Sequence, residues 1–297
     1  MNPTGPERLL LDALVFPLPA AREAWGKWRA SAKLEHLDPA SFHLLPALAG
    51  RMPEWLINDP QEPVLLGICR QTWCRNQVRR KLLADAIEIL RSAGIDRVSA
   101  TGSVLWGETY WPEGAIRTID TVDVLVEPAS ARAALDALLR AGWIAKRALP
   151  DTSRNHFYFD PGVPVESPSG GEVRVNWRAL PNTDFALRRP PGPELEALTP
   201  AHCLVAALGG EYQDAIGWQL DAFMICRSQE LQWNDAATLL RRRSVARQRL
   251  EELSRDWGAP VPEDVTRLST GPVEQALIGA LRGYRRRKRE LLWSKRQ

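Results

Sequence analysis

The sequence is poor in cysteine, histidine and lysine and has no long apolar run, and each shortage closes off a class of function. Four cysteines stand at positions 69, 74, 203 and 226. The nearest pair, Cys69 and Cys74, is five residues apart with no histidine at ligand spacing, so neither a zinc motif nor a disulfide framework is legible. They read as reduced thiols in a cytoplasmic protein. The four histidines form no Ser–His–Asp pattern for nucleophilic catalysis. No stretch approaches the ~18 to 20 uninterrupted apolar residues of a membrane span. The first twenty residues resemble a signal peptide only superficially: Glu7 cancels Arg8, and Asp12 and Pro17 break the apolar segment.

What is present is a chain of 297 residues, 44% hydrophobic and 25% charged, with a net charge of +3. That length suits one large domain or two modest ones, each with a core of its own. Arginine outnumbers lysine 33 to 6, and tryptophan supplies 12 of the 22 aromatic residues. A guanidinium forks onto phosphate or carboxylate, so the arginine excess fits anion recognition. Codon bias in a GC-rich genome would produce the same excess. The basic charge is concentrated at one end: residues 280–297 carry eight basic side chains and one acid, leaving the rest of the chain at −4. Such a run binds RNA, DNA or an acidic membrane surface, or forms the solvated face of a last helix; Tyr284 and Trp293 alone do not make an aromatic stacking platform.

Residues 1–93 read as an N-terminal helical region. Trp25, Trp28 and Ala32 share one helical face, His43–Leu48 reads as a short buried helix, and the Pro53–Pro63 region reads as a loop. Val64–Ala93 is a long amphipathic pattern closed by Gly94. The texture changes at 94–187. Strand candidates are Ile95–Ala100, Thr121–Val126, His156–Phe159 and Glu172–Trp177; the last two are joined by a Pro/Gly loop. Helices are expected over Val104–Tyr110 and Ser130–Ala141. This predicts an α+β fold, a small mixed sheet between helical regions. Residues 188–200 form a proline-rich linker, and 201–297 read as a C-terminal helical domain with helices at 201–208, 217–226, 233–242, 245–257 and 273–293.

The chemistry is expected in the α/β part. A strand that ends at Thr101-Gly102-Ser103 and opens a helix forms a phosphate cradle, because Gly102 admits close backbone approach and the helix start offers free N–H groups. About twenty residues later Asp120 and Asp123 begin the next strand, with Arg117 just before them. Carboxylates beside a phosphate cradle are what Mg²⁺ needs to hold a triphosphate.

This order of elements resembles the DNA polymerase beta-type nucleotidyltransferase fold, and more specifically a bacterial family of uncharacterised nucleotidyltransferases. The resemblance covers about residues 25–260. It rests on His43-Leu44-Leu45-Pro46, Gly94-Ile95 with Thr101-Gly102, Arg117 with the Thr121–Val126 strand, Leu138 to Trp143, His156, Arg174-Val175-Asn176-Trp177, and Trp218 to Asp221. It implies a nucleotidyltransferase core, an NTP as ligand, Mg²⁺ as cofactor, and a biosynthetic setting for peptide or polysaccharide products. Asp123 and Asp120 would be the catalytic and metal-binding carboxylates, with Gly102, Ser103, Arg117 and Arg174 binding nucleotide.

The departures from the family pattern weigh as much. The first strand carboxylate falls on Thr121, the turn lysine is Thr101, and the acid and histidine of the third strand are Arg174 and Asn176. Strand alternation puts Thr121 and Asp123 on one face and Asp120 on the other, so Asp120 substitutes only through a bulge. Glu172 shares the face of Arg174 but lies about 6–7 Å earlier along the strand. One carboxylate beside a guanidinium does not neutralise two metal ions, whereas Arg174 would attract a phosphate.

Three functions are therefore open. The first is transfer of a nucleoside monophosphate from an NTP to a peptide, protein or small-molecule acceptor. The second is a catalytically degraded homologue that binds a nucleotide, peptide or partner protein. The third is nucleic-acid binding through the basic C-terminal helix. Trp73, Trp106, Trp111 and Trp143 either wall an acceptor groove or pack the core. Asp221 and Trp218 are expected to fix the helical domain to the core.

Overall fold

The computed structural model describes residues 5–32, 36–37, 39–50, 61–111, 116–147, 162–180, 187–188, 197–209, 217–241 and 243–266. The expected strand at 156–159, the helix at 273–293 and the basic segment 280–297 lie outside the described residues.

The fold is mixed α+β: one five-stranded sheet flanked by helices from both ends of the chain. Its N-terminal part holds α1 (Gly5–Val15), α2 (Leu18–Ser31), α3 (Pro39–Leu44) and a 3₁₀ turn at Leu45–Gly50. Within the N-terminal helical region the sequence pattern names no helix before Trp25, and α1 is the additional element found there. Its pattern is nonetheless helical, with Leu10, Leu11 and Leu14 buried on one side. Asp12, which looked like a break in an apolar run, accepts hydrogen bonds from Arg8 at 3.2 Å and Trp257 at 3.0 Å. Trp25 and Trp28 stack with their rings 5.1 Å apart, on the shared face expected of them.

The long pattern at 64–93 is α4 (Glu62–Ser92), about 46 Å of helix at 1.5 Å per residue. It ends as its sequence predicts. Gly94 takes φ 79°, and the Ile95 amide reaches back to the Leu90 carbonyl at 3.0 Å, a glycine-dependent helix stop.

Strand β1 (Val98–Thr101) leads through Gly102 into α5 (Ser103–Thr109). Strand β2 (Val122–Val126) is followed by α6 (Ala131–Arg140) and the short β3 (Ile144–Ala145). A hairpin of β4 (Gly162–Glu166) and β5 (Glu172–Asn176) completes a sheet ordered β1-β2-β5-β4-β3. Strand β2 lies antiparallel to β1 and parallel to β5. The sequence reading took 162–166 for loop because Gly162 and Pro164 suppress strand propensity. Burial of Val163 and Val165 outweighs that, since both are fully buried opposite Val175 and Val173 of β5.

A two-strand ladder of β6 (Leu187–Arg188) and β7 (Ala197–Leu198) follows, within the segment read as a linker. The remaining elements are α7 (Pro200–Gly209), α8 (Gly217–Cys226), α9 (Trp233–Leu240), α10 (Ser244–Trp257) and α11 (Glu263–Thr266). Four of these helices match the expected spans closely.

Two apolar cores result. One gathers Val98, Val122, Val124, Val126, Val173 and Val175 from one face of the sheet with Leu82, Leu83, Ala86 and Leu90 of α4 and the buried side of α6. The other joins α1–α3 to α7–α10 and includes Leu65, Ile68 and Cys69 from the first half of α4. Helix α4 thus belongs to both cores, and the buried Thr72 and Asn76 stand between its two apolar stretches. All four cysteines are free thiols; burial pushes Cys69 up to about 11 and Cys203 and Cys226 up to about 12, and Cys74 is exposed.

Gly162 has a specific steric role. A Cβ there would stand 2.2 Å from Asn176 Oδ1 and 2.6 Å from the Val175 carbonyl. Gly162→Ala is therefore expected to lose roughly 1–3 kcal/mol of stability in urea unfolding, the usual range for overpacking. An unchanged midpoint would show that Asn176 moves aside at no cost.

Candidate functional site

The register assigns the polar residues of the sheet to one face. In β1 and β2, Thr101 lies opposite Asp123, and in the parallel pair Asp123 lies opposite Arg174. Asn176, two residues along β5, shares that face. The opposite face carries the valines. The result is a polar surface whose charged members are Asp123, Arg174, Glu166 and Glu172. Leu125 on the same face is covered by the helical core.

Asp123 is the best-held of these groups. Its Oδ2 accepts from Thr121 Oγ1 at 2.5 Å and its Oδ1 accepts from Asn176 Nδ2 at 3.0 Å. Gly102 lies against it with φ 67°: a Cβ on that residue would sit 3.3 Å from Asp123 Oδ2. The glycine is thus required twice, for its backbone angle and for the closeness of the turn to the carboxylate. The Ser103 hydroxyl donates to the Thr121 carbonyl at 3.1 Å, tying the helix start to the entrance of β2. Arg174 is exposed and makes no hydrogen bond or ion pair among the described residues. Glu172 is exposed at the far end of β5, opposite Glu166, which pairs with Lys146.

Asp120 belongs to a different group. Its Oδ2 accepts from Arg117 at 2.9 Å, and its Oδ1 lies 3.7 Å from His43 Nδ1. Arg79 of α4 is near enough to feel its charge. Burial holds that guanidinium below its ordinary value; Asp120 opposes the shift, while Arg75 and Arg117 add to it. The two aspartates are separate as expected, though not by strand alternation: Asp123 lies on the polar face of β2, and Asp120, before the strand begins, is held by Arg117 beside His43.

Arg117 is 8% exposed and bonded on several sides. Its Nε and terminal nitrogen reach the two oxygens of Asp221 on α8 at 3.2 and 2.7 Å, and another terminal nitrogen donates to Asp120 and the Thr118 carbonyl. Asp221 is fully buried and also accepts from Trp111 at 3.1 Å. The expectation that Asp221 anchors the helical domain agrees with this geometry. The structure thus brings Asp123 together with Gly102 and sets Arg174 opposite it, while Arg117 and Asp120 form a separate ion-pair group.

Asn76, Arg79 and His43 were not singled out as site residues. Asn76 donates to the Arg117 carbonyl at 2.7 Å and accepts from the Ile119 amide at 3.1 Å, so it clamps the segment leading into β2. The signal was present in the sequence. Thr72, Asn76 and Arg79 continue the stripe of Leu65, Cys69, Leu83, Ala86 and Leu90 but are polar. A polar break in an apolar stripe marks a place where another segment's backbone must be satisfied.

Two divalent ions held about 4 Å apart need several carboxylates to offset their charge. Among the described residues no group of three or more His, Cys, Asp or Glu side chains converges. Asp123 is engaged by the neutral donors Thr121 and Asn176, and Asp120 by Arg117, so the described residues by themselves do not supply the donor set of a two-metal centre.

The Arg117–Asp221 pair is open to a direct test. Asp221→Asn leaves a buried guanidinium half-compensated and is expected to lose about 3–5 kcal/mol in chemical unfolding. Pairing it with Arg117→Met should recover part of that loss, because the second change removes the orphaned charge. Strict additivity of the two losses would contradict the coupling.

The chain matches no model of a known protein family, and a comparison with curated proteins gives no match.

Proposed function

We propose that the protein is a catalytically degraded relative of the polymerase beta-type nucleotidyltransferases that binds a phosphate-bearing ligand, most simply a nucleotide, on the polar face of its sheet. The observation that carries this reading is the environment of Asp123. The one carboxylate at the family position is engaged by Thr121 and Asn176, and Arg174 lies opposite it in the neighbouring strand. The element order β1, Gly102 turn, α5, acid-bearing β2, α6 supports the nucleotidyltransferase-type core. Among the described residues no further carboxylates converge with Asp123 into a metal-binding group, which favours anion binding over metal-dependent transfer.

In this reading Arg174 supplies the positive charge for a phosphate, and the backbone of the Gly102 turn lines the approach. Asp123 orients Asn176 and Thr121 rather than carrying a metal. Mg²⁺, where it enters, arrives with the nucleotide and offsets phosphate charge. An acceptor molecule and transfer chemistry are not required.

The test is calorimetric titration of ATP with and without Mg²⁺. Binding is expected in EDTA, and Arg174→Gln should weaken it about tenfold, the loss of one charge-assisted hydrogen bond. Asp123→Asn should leave metal-free binding intact or tighten it, because a negative charge facing the phosphates is removed. Binding that requires Mg²⁺ and vanishes in Asp123→Asn would overturn this reading in favour of active nucleotidyl transfer.

A further inference from the structure

A hollow lies beside α5, and neither Asp123 nor Arg174 lines it. It is a cleft of about 360 Å³ between α4 and α5, with Trp73, Asn76 and Arg80 on one wall, Ser103 on the other, and Arg117 and Ile119 beneath. That volume is at the small end of ligand sites. The base of the cleft is rigid and already satisfied. Asn76 is bonded at both ends of its amide, Arg117 is held by Asp221 and Asp120, and the Ser103 hydroxyl is spent on Thr121.

Spare binding capacity lies at the rim. Trp73 is 52% exposed, an unusual placement for a large aromatic ring beside a preformed cleft. Arg80 sits two turns further along the same side of α4, and its contact is an exposed ion pair with Glu108 at 2.9 Å. Arg70, one turn before Trp73, is exposed and makes no hydrogen bond or ion pair among the described residues. From residue 63 to 84 the helix carries Arg70, Arg75, Arg79, Arg80 and Lys81 and no acid. A flat ring with an acidic group is the ligand that uses both features. An exposed indole stacks any nucleobase, and a guanidinium forks onto phosphate.

We propose that the cleft between α4 and α5 binds a nucleoside monophosphate, its base stacked on Trp73 and its phosphate paired with Arg80 in place of Glu108. Asp123 and Arg174 take no part in it, so the proposal stands or falls separately from the sheet-face reading. Glu108 is the competitor that the phosphate displaces. Its position gives the proposal a signature that a packing role for Arg80 would not produce: neutralising Glu108 should improve binding.

The experiment is fluorescence anisotropy of N-methylanthraniloyl AMP with the full chain in EDTA at low salt, competed by AMP, adenosine and inorganic phosphate. AMP should compete better than adenosine, and phosphate should compete least. Trp73→Ala and Arg80→Gln should each weaken binding about tenfold or more. Glu108→Gln should tighten it several-fold, and Arg174→Gln should leave it unchanged. All these positions are at the surface or rim, and equal melting temperatures would confirm that each variant folds. Absence of probe binding, unchanged binding in Trp73→Ala, or weaker binding in Glu108→Gln would overturn the proposal. Loss of binding in Arg174→Gln but not in Trp73→Ala would assign the nucleotide to the sheet face, overturning the cleft site and leaving the sheet-face reading in place.

Discussion

The buried ion pair between Arg117 and Asp221 is the constraint on which the rest of the structure depends. Two charges removed from water pay a desolvation cost that only close, multiply bonded geometry offsets. Here the offset comes from three directions: the two-point contact of the guanidinium with Asp221, the Trp111 indole on the same carboxylate, and Asp120 on the far side of the arginine. A lysine could not make these contacts at once, because it lacks the planar fork. The pair joins the segment that enters β2 to the second helix of the C-terminal region. Asn76 grips the same segment from α4. Strand β2 therefore starts from a segment fixed on two sides, and the position of Asp123, the second residue of that strand, follows from it.

That fixing has a chemical consequence. Asp120 is drawn into the pair and cannot also turn to the sheet face that carries Asp123. Among the described residues that face carries Asp123, held by two neutral donors, the exposed Arg174, and Glu166 and Glu172 beside the β4–β5 turn. A divalent ion at Asp123 would meet an acid already engaged by Thr121 and Asn176. The same interaction that orders the entrance of β2 thereby keeps Asp120 away from the face that carries Asp123. It also builds the base of the α4–α5 cleft, whose polar groups are satisfied internally and whose rim is not.

Much of this architecture was legible in the sequence, and the misses have distinct causes. The stop of α4 at Gly94 follows from a local rule, a left-handed glycine, that tertiary contacts do not override, whereas the separation of Asp120 from Asp123 is made by the Arg117 pair before the strand begins. Strand β4 was hidden because Gly162 and Pro164 are poor strand formers, and it forms because Val163 and Val165 are needed in the core. Helix α1 was hidden by its position beside a proline-bounded apolar run, although the spacing of Leu10, Leu11 and Leu14 is helical. The destination of Arg117 was least legible. Its partner lies 104 residues away, and no local pattern connects them.

The arginine excess resolves into physically different uses rather than one. Arg117 is a structural charge whose hydrogen-bonding capacity is consumed by the fold, and it is unavailable to a ligand without loss of the domain contact. Arg174 and Arg70 are exposed with their capacity unspent among the described residues, and Arg80 holds an exposed pair that exchange with a stronger anion would break at little cost. Arg79 lies between these extremes, half-buried on the polar stripe of α4, with its charge disfavoured by burial and offset in part by Asp120. Composition counts these side chains alike. Their burial and partners distinguish them: the two proposed sites draw on exposed arginines of β5 and α4, while the buried one near β2 is consumed by the scaffold.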